Sequence, residues 1–246
     1  MDLAPWQWLI AFAGAFLIGV SKTGITGLGA FAVALFALIM PPRESVGVVL
    51  PVLMTADVVA VALYRRNAVW SHLIGLMPWT AAGVLVGFFA LGRIDNQQVG
   101  RLIGAILVVL VVLQFWRSRV ARSQEEVPHA LWFVAATGIL AGFTTMVANA
   151  SGPIMILYLL AVGLPKIEFL GTTAWFFLLL NWFKVPFSYQ LGMINLNSLP
   201  LDLAVAPLAL AGAFLGRQVI LRIDQVLFEN LTLIFTLLAA IKLLFS

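Results

Sequence analysis

Ten apolar runs separated by short polar segments are the feature that most constrains the fold of this chain. Runs such as 45–64 and 73–91 approach the roughly 20 apolar residues that cross the hydrocarbon core of a bilayer. Because 63% of the 246 residues are hydrophobic and only 10% are charged, the sequence predicts an all-α polytopic membrane protein. The ten runs are 5–20, 27–40, 45–64, 73–91, 100–116, 129–147, 152–164, 168–188, 198–216 and 227–245.

Two polar, glycine-dense stretches interrupt this pattern at matching places. Gly19–Gly29 lies between the first two runs, and Gly142–Pro153 lies between the sixth and the seventh. Broken backbone at membrane depth persists only where protein or a water-filled cavity satisfies its amide and carbonyl groups. Two breaks at equivalent positions of two halves are typical of the substrate site of a secondary transporter.

Recurring residues indicate that the two halves are sequence-related. At an offset of 123, Gly19, Gly29 and Pro42 recur as Gly142, Gly152 and Pro165. At an offset of 129, Pro78, Gly83, Gly87, Arg93, Ile94 and Asp95 recur as Pro207, Gly212, Gly216, Arg222, Ile223 and Asp224. We therefore predict a first transmembrane repeat at 1–116, an inter-repeat loop at 117–128 and a second transmembrane repeat at 129–246. Each repeat has five hydrophobic segments, of which the first two are short and broken.

The distribution of Lys and Arg favours inverted topology for these repeats. If each repeat preserves crossing parity, as two full spans or as one re-entrant hairpin followed by three spans, nine basic residues lie on one side and five on the other. If each short pair is a single broken crossing, the chain has eight spans and the bias disappears. The counts therefore favour inverted repeats with both termini outside, within a total of eight to ten membrane segments.

The first break carries the residues of a predicted anion site. Glycines let the backbone unwind and approach a ligand, and free amides at the start of the next helix present partial positive charge. A lysine within the hydrophobic region is costly and is therefore a functional candidate, although it can also snorkel to a membrane face. The predicted substrate-binding residues here are Ser21, Lys22, Thr23, Gly24, Thr26, Gly27 and Gly29.

The second break offers hydroxyls and an amide to the same ligand. Its candidate substrate-binding residues are Thr144, Thr145, Asn149, Ser151 and Gly152. Pro153 suits the first turn of the following helix, where its missing N–H has no cost. The alternative is that the Thr and Ser hydroxyls bond back to carbonyls of their own helix.

Three further polar residues lie inside apolar runs. Asp57 is a candidate for proton coupling or, equally, for structural pairing with Lys22. Its approximate repeat partner Asn181, with Lys184, forms a pair of secondary site candidates. Lys184 lies near the end of its run, so we expect it to snorkel to the interface rather than to line a site.

The remaining motifs favour structural roles. Asp95 and Gln98 form a capping-box pattern, and the Gly83/Gly87 and Gly212/Gly216 pairs are typical of helix-packing faces. The chain has no cysteine, and no paired carboxylates, nucleophile–base pair or phosphate loop is evident, so we expect neither an enzyme nor a cofactor or metal site. The net charge of +4 lies in short loops and does not indicate nucleic acid.

At Ser21–Gly29, at Thr144–Pro153 and in the duplicated glycine-rich helix that ends in Arg-Ile-Asp, the sequence resembles the TauE/SafE sulfite exporter family of bacterial membrane permeases. The resemblance covers essentially the whole chain, and its most specific part is the Ser-Lys-Thr-Gly start followed by spaced glycines. It implies secondary transport of a small sulfur-containing anion such as sulfite or an organosulfonate, with the residues of the first break in the motif positions.

The sequence therefore favours an alternating-access exporter of a small anion, proton-coupled if Asp57 titrates. An anion channel with the same cavity and a non-transporting membrane scaffold or assembly protein remain alternatives. The expected partners are a small anionic substrate and the lipid bilayer, with homo-oligomerisation left open. The expected location is the bacterial inner membrane, as a multi-pass protein.

Overall fold

The computed structural model describes residues 3–24, 28–120, 131–194 and 198–219, with a few positions between 234 and 245. The described ranges contain nine α-helices and no strand, which confirms the predicted all-helical class. A short 3-10 turn, Arg65–Asn67, follows α3. The helices are α1 Pro5–Thr23, α2 Leu28–Ile39, α3 Pro42–Tyr64, α4 Trp70–Leu91, α5 Asn96–Val120, α6 Leu131–Ala148, α7 Gly152–Ala161, α8 Lys166–Gln190 and α9 Leu199–Val219.

Each of the first nine apolar runs corresponds to one helix, and most helices extend a few residues beyond the run. The tenth run and the second Arg-Ile-Asp motif lie almost wholly outside the described residues. The helix α5 continues to Val120 and so enters the predicted inter-repeat loop, whose remaining residues are not described. Four stretches are long and apolar enough to cross a membrane: Pro42–Asn67, Trp70–Leu91, Leu131–Ala148 and Leu199–Gly216.

The polarity of the fold is that of a membrane protein. Large apolar side chains such as Ile74, Trp132 and Phe214 are exposed on the outside. Charged and amide side chains, including Asp57 and Lys184, are buried in the interior. Since no water hydrogen-bonds to the outer surface at membrane depth, this arrangement keeps polar groups where protein can satisfy them.

The helices α1 and α2 form a hairpin. At its open end, Gln7 Nε2 donates to Ile39 O at 2.8 Å. Further in, Gly14 leaves room for the ring of Phe36, which lies 2.7 Å from the position of an added Cβ. The short pair therefore folds back on itself, so the alternative of a single broken crossing is wrong for this pair.

The helices α6 and α7 form the equivalent hairpin. Phe133, near the start of α6, stacks on Tyr158, near the end of α7, with ring centroids 6.0 Å apart. This second pair also turns back, at residues 149–151.

Across the two halves, α4 packs against α6 through small residues. A Cβ on Gly83 would collide with the backbone of Ile139, and a Cβ on Gly142 would collide with the backbone of Thr80. Close backbone approach of this kind is the usual role of small residues at helix interfaces in membranes.

The helices α1 and α9 pack in the same way, through the residues that the repeat offsets relate to those of α4 and α6. A Cβ on Gly212 would collide with the backbone of Phe16, and one on Gly19 would collide with that of Ala209. The offset of 123 relates Phe16 to Ile139, and the offset of 129 relates Ala209 to Thr80. The predicted packing role of the glycine pairs is therefore confirmed, and the two halves contact each other reciprocally.

The predicted capping box is also present. Gln98 N donates to Asp95 Oδ1 at 2.8 Å, and Asp95 N donates to Gln98 Oε1 at 3.0 Å. The Asp95 side chain thereby satisfies the free amide of Gln98 in the first turn of α5, which confirms its structural role.

Candidate functional site

The first hairpin tip begins where α1 ends at Thr23. Gly24 N donates to Val20 O at 3.0 Å, and the Gly24 backbone lies against Gly216 of α9, where a Cβ would come within 2.8 Å of a carbonyl oxygen. The next three residues, which include the predicted site residues Thr26 and Gly27, lie outside the described residues. The chain is described again from Leu28, the first residue of α2.

The second hairpin tip depends on Asn149. Its φ of 49° is in the left-handed region, which terminates α6 and which asparagine adopts more readily than most residues. Asn149 N donates to Thr145 O at 3.0 Å, so the last turn is closed before the chain reverses. The helix α7 begins at Gly152 with Pro153 in its first turn, as predicted.

Both tips line one cavity of about 30 Å³, which is room for one or two water molecules. The cavity lies against Leu53, the central residue of α3, and Phe177, next to the centre of α8. It is therefore half-way along the two central helices, which pack against each other. The lining residues are Ser21, Lys22, Gly29, Ala30, Leu53, Thr145, Asn149, Ser151, Gly152, Phe177 and Asn181.

On one side of the cavity, an ion pair joins the first tip to α3. Lys22 Nζ lies 2.8 Å from Asp57 Oδ1, and the two side chains are only 9% and 0% exposed. Asn181 Nδ2 donates to the other carboxylate oxygen of Asp57 at 2.6 Å. The structural pairing of Asp57 with Lys22 is therefore present, and Lys22 does not snorkel to a membrane face.

On the other side, a second lysine joins α8 to the second tip. Lys184 Nζ donates to Asn149 Oδ1 at 2.5 Å and to Thr145 Oγ1 at 3.1 Å. Asn149 Nδ2 in turn donates to Val46 O at 2.9 Å, which fixes the orientation of the amide. The expectation that Lys184 snorkels is wrong, because its side chain is fully buried and points from α8 towards the tip.

Ser151 is the one cavity-lining serine whose hydroxyl is not used elsewhere in the described structure. It is 1% exposed, and its Oγ has no hydrogen-bond partner among the described residues. It immediately precedes α7, whose first amides have no carbonyl partner within the helix. A free hydroxyl and free amides at the positive end of a helix dipole together suit an oxyanion.

Several predicted site residues are used for packing instead. Thr23 Oγ1 donates to Ala213 O of α9 at 2.7 Å, and Gly24 also faces α9, so neither lines the cavity. Thr144 Oγ1 donates to Leu140 O of its own helix at 2.8 Å and is likewise absent from the lining. The alternative of bonding back to the helix is the correct one for Thr144.

Ser21 and Gly29 do line the cavity, with different consequences. Ser21 Oγ donates to Ile18 O at 2.7 Å, so its hydrogen is already committed and only its lone pairs face a ligand. Gly29 lies opposite Ser21, where a Cβ would be 3.5 Å from the hydroxyl. Of the predicted hydroxyls in the described part of the two breaks, only those of Thr145 and Ser151 have a hydrogen with no assigned acceptor.

The apolar part of the lining was not predicted. Lys22 Nζ lies 4.0 Å from the centre of the Phe177 ring, a cation–π contact that shields one face of the ammonium. Phe177 precedes Asn181 by one helical turn, so it shares the face of α8 that carries Asn181 and Lys184. That spacing was a usable signal, although an aromatic residue in an apolar run does not by itself indicate a site.

Taken together, the site places two lysines, one carboxylate and two helix ends around a small polar hollow inside an otherwise apolar protein. Comparison with known families gives the same indication, because the model described as sulfite exporter TauE/SafE matches residues 11–243. The chain belongs to the TauE/SafE sulfite exporter family. No similar curated protein and no similar solved structure was found.

Members of the TauE/SafE family are membrane transporters of the sulfite and sulfonate exporter type, not enzymes. This TauE/SafE member is accordingly a membrane protein with a transport role. The matched range, 11–243, includes both breaks and the glycines that pack between the halves. The cavity therefore lies within the part of the chain that matches the family.

Proposed function

We propose that this TauE/SafE protein is a secondary transporter that exports a small sulfur-containing anion, such as sulfite or an organosulfonate, across the bacterial inner membrane. The observation that carries the proposal is the convergence of two hairpin tips on one polar cavity half-way along α3 and α8. Discontinuous helices that meet near the bilayer midplane are the usual substrate site of secondary transporters.

The donors around the cavity match the oxygens of a sulfite or sulfonate group. Ser151 and Thr145 offer hydroxyl hydrogens, and the start of α7 offers backbone amides. Lys22 adds positive charge at the first tip. The oxygens of such an anion accept charge-assisted hydrogen bonds from donors of this kind, which an apolar solute cannot do.

The inverted arrangement of the repeats is part of the proposal, and its first support is the direction of α1. Gln7 at the start of α1 bonds to Ile39, three residues before α3 begins. Tyr64 at the end of α3 donates to Thr23 O at the end of α1, at 3.2 Å. The helices α1 and α3 therefore run in the same direction.

The direction of α6 is the second support. Asn149 at the end of α6 bonds to Val46 near the start of α3. Tyr158, which stacks on the start of α6, has its hydroxyl 3.3 Å from Nδ1 of His72, shortly after the end of α3. These contacts support the proposal that α6 runs opposite to α3 and to α1, its repeat equivalent, with the two hairpins entering from opposite sides.

This topology has a direct test. Because the chain contains no cysteine, single-cysteine variants can be made without first replacing native cysteines. Arg66→Cys, after α3, and Gln190→Cys, at the end of α8, are placed at equivalent and exposed positions. We expect an impermeant maleimide to label them from opposite sides of the membrane. Labelling of both from the same side contradicts inverted repeats.

Alternating access is part of the proposal, and the size of the cavity supports it. Room for one or two water molecules is too little for a free passage of hydrated anions, so the described cavity is not an open channel. Admission of substrate requires the hairpin tips to separate. Proton coupling through Asp57 requires the same event, because its carboxylate is held by Lys22 and Asn181 while the site is closed.

The site is tested by Lys22→Ala in proteoliposomes loaded with radiolabelled sulfite. We expect loss of transport from protein that still elutes as a folded species, because the cation at the first tip is gone. Arg66→Ala is the matched control, since it removes an exposed positive charge outside the cavity. Normal flux through the Lys22 variant overturns the site.

Counterflow separates a carrier from a channel. Unlabelled substrate on the far side accelerates uptake of labelled substrate only when the binding site is exposed alternately to the two sides of the membrane. We expect such acceleration, and passive equilibration without it contradicts alternating access.

A further inference from the structure

Three charged side chains are buried around the cavity, and they do not cancel. Lys22 and Asp57 form one ion pair with a net charge of zero. Lys184 is the third, one helical turn after Asn181, which donates to Asp57. With both lysines protonated, the three side chains together carry one net positive charge.

The excess charge belongs to Lys184. Its described acceptors, Asn149 Oδ1 and Thr145 Oγ1, are neutral, and no carboxylate of the described residues lies within 4.0 Å of its Nζ. A buried ammonium without a counter-ion is unfavourable, and an anion in the cavity would supply that counter-ion. Both acceptor residues, Asn149 and Thr145, line the cavity, whereas Lys184 does not line it directly.

Thr145 connects this charge to the cavity. Because Thr145 Oγ1 accepts from Lys184, its own hydrogen must point elsewhere, and no acceptor for it is present among the described residues. A hydroxyl polarised by an ammonium and facing the cavity is a strong donor to an anion. The side chain of Lys184 therefore acts on the ligand through Thr145 as well as through the field of its charge.

We infer that Lys184 determines the charge of the substrate, and that the cavity binds monovalent oxyanions in preference to divalent ones. The inference rests on the proposed function and concerns the same site. An anion with one negative charge neutralises the three charged side chains, whereas an anion with two leaves a net charge buried in a low-dielectric interior.

Methanesulfonate and sulfate are suitable probes, because they share a tetrahedral oxygenated sulfur and carry one and two charges at pH 7. Competition against labelled substrate in proteoliposomes gives their relative affinities. For the unmodified protein we expect methanesulfonate to compete at least about tenfold better than sulfate. For Lys184→Gln, which keeps a hydrogen-bond donor without the charge, we expect this preference to be lost through weaker methanesulfonate binding.

Asp57→Asn tests the same charge balance independently of how Lys184→Gln folds. Removing the carboxylate raises the net charge of the site to two, so we expect the preference to shift towards sulfate. Arg66→Gln, which changes an exposed charge, serves as the control and should leave the ratio unchanged.

The outcomes separate this inference from the proposed function. If both anions compete equally in the unmodified protein, or if both site variants keep the original ratio, the charge rule is overturned while anion transport stands. If neither anion nor any other oxyanion competes, the proposed function fails and the charge rule with it.

Discussion

Asn149 Oδ1 accepts a hydrogen bond from Lys184 Nζ at 2.5 Å, which ties the residue after α6 to the last turns of α8. The same asparagine has a φ of 49° and ends α6. One residue therefore both breaks the helix and holds the buried cation, so the shape of the second tip and the charge behind it depend on each other.

Replacing Asn149 separates these two roles. For Asn149→Ala we expect the free energy of unfolding in mixed micelles to fall by about 2–4 kcal/mol, from the left-handed backbone and from the lost bond to a charged group. Glycine adopts a positive φ without strain, so Asn149→Gly should recover about 1 kcal/mol of this loss. Equal stability of the two variants contradicts a role for the positive φ.

Ser151→Ala should improve stability while it impairs binding. The hydroxyl is buried without a described partner, so its removal is expected to raise the free energy of unfolding by roughly 1 kcal/mol. The same change removes a donor to the anion and should weaken binding about tenfold, measured by competition.

Ser21→Ala is the matched control on the opposite tip, because its hydroxyl already donates to Ile18 O. It should leave affinity nearly unchanged. If Ser151→Ala destabilises the protein and leaves substrate binding normal, the role of Ser151 as a donor to the anion is contradicted.

The buried ion pair predicts a non-additive mutant cycle. Lys22→Met or Asp57→Asn alone leaves one buried charge without its partner and should cost about 3–5 kcal/mol. The double variant removes both charges and should be more stable than the sum of the single losses indicates. Additive losses, measured by unfolding in mixed micelles, contradict the pairing.

The reciprocal glycine contacts predict matched losses in the two halves. Gly19→Ala and Gly142→Ala each drive a methyl group into the backbone of the helix opposite, so each should lower the free energy of unfolding by about 1–3 kcal/mol. Gly75→Ala, in α4, has open space around the new Cβ and should be neutral or slightly stabilising. A loss confined to one half contradicts equivalent packing.

The sequence predicted those features that depend on local chemistry or on the repeat. Glycine density marked both hairpin tips, and several glycines that recur at the offsets of 123 and 129 lie at the contacts between the halves. The assignment of Asp57 was open between coupling and pairing because a sequence does not give the distance to Lys22.

The position of Lys184 was predicted wrongly for a physical reason. An apolar run that ends four residues later suggests an exit to the interface, but α8 continues to Gln190 and keeps Lys184 on the face of Phe177 and Asn181. Helical phase, rather than distance to the end of the run, decides where such a side chain points. Thr23 and Thr144 were assigned to the site because the sequence shows that they are polar. It does not show that their hydroxyls donate to the carbonyls of Ala213 and Leu140.

The contact of Gly83 with Ile139, repeated by Gly212 with Phe16, has a consequence for the origin of the chain. If the two halves are inverted repeats, as proposed, a polypeptide with only one half would bury these surfaces by associating with a second copy of opposite orientation. Fusion of two such copies would remove the need for identical sequences and would free each half to diverge. Lys22 and Thr145 are related by the offset of 123, and Asp57 and Asn181 approximately so by 124, so such divergence would account for the uneven charge of the cavity.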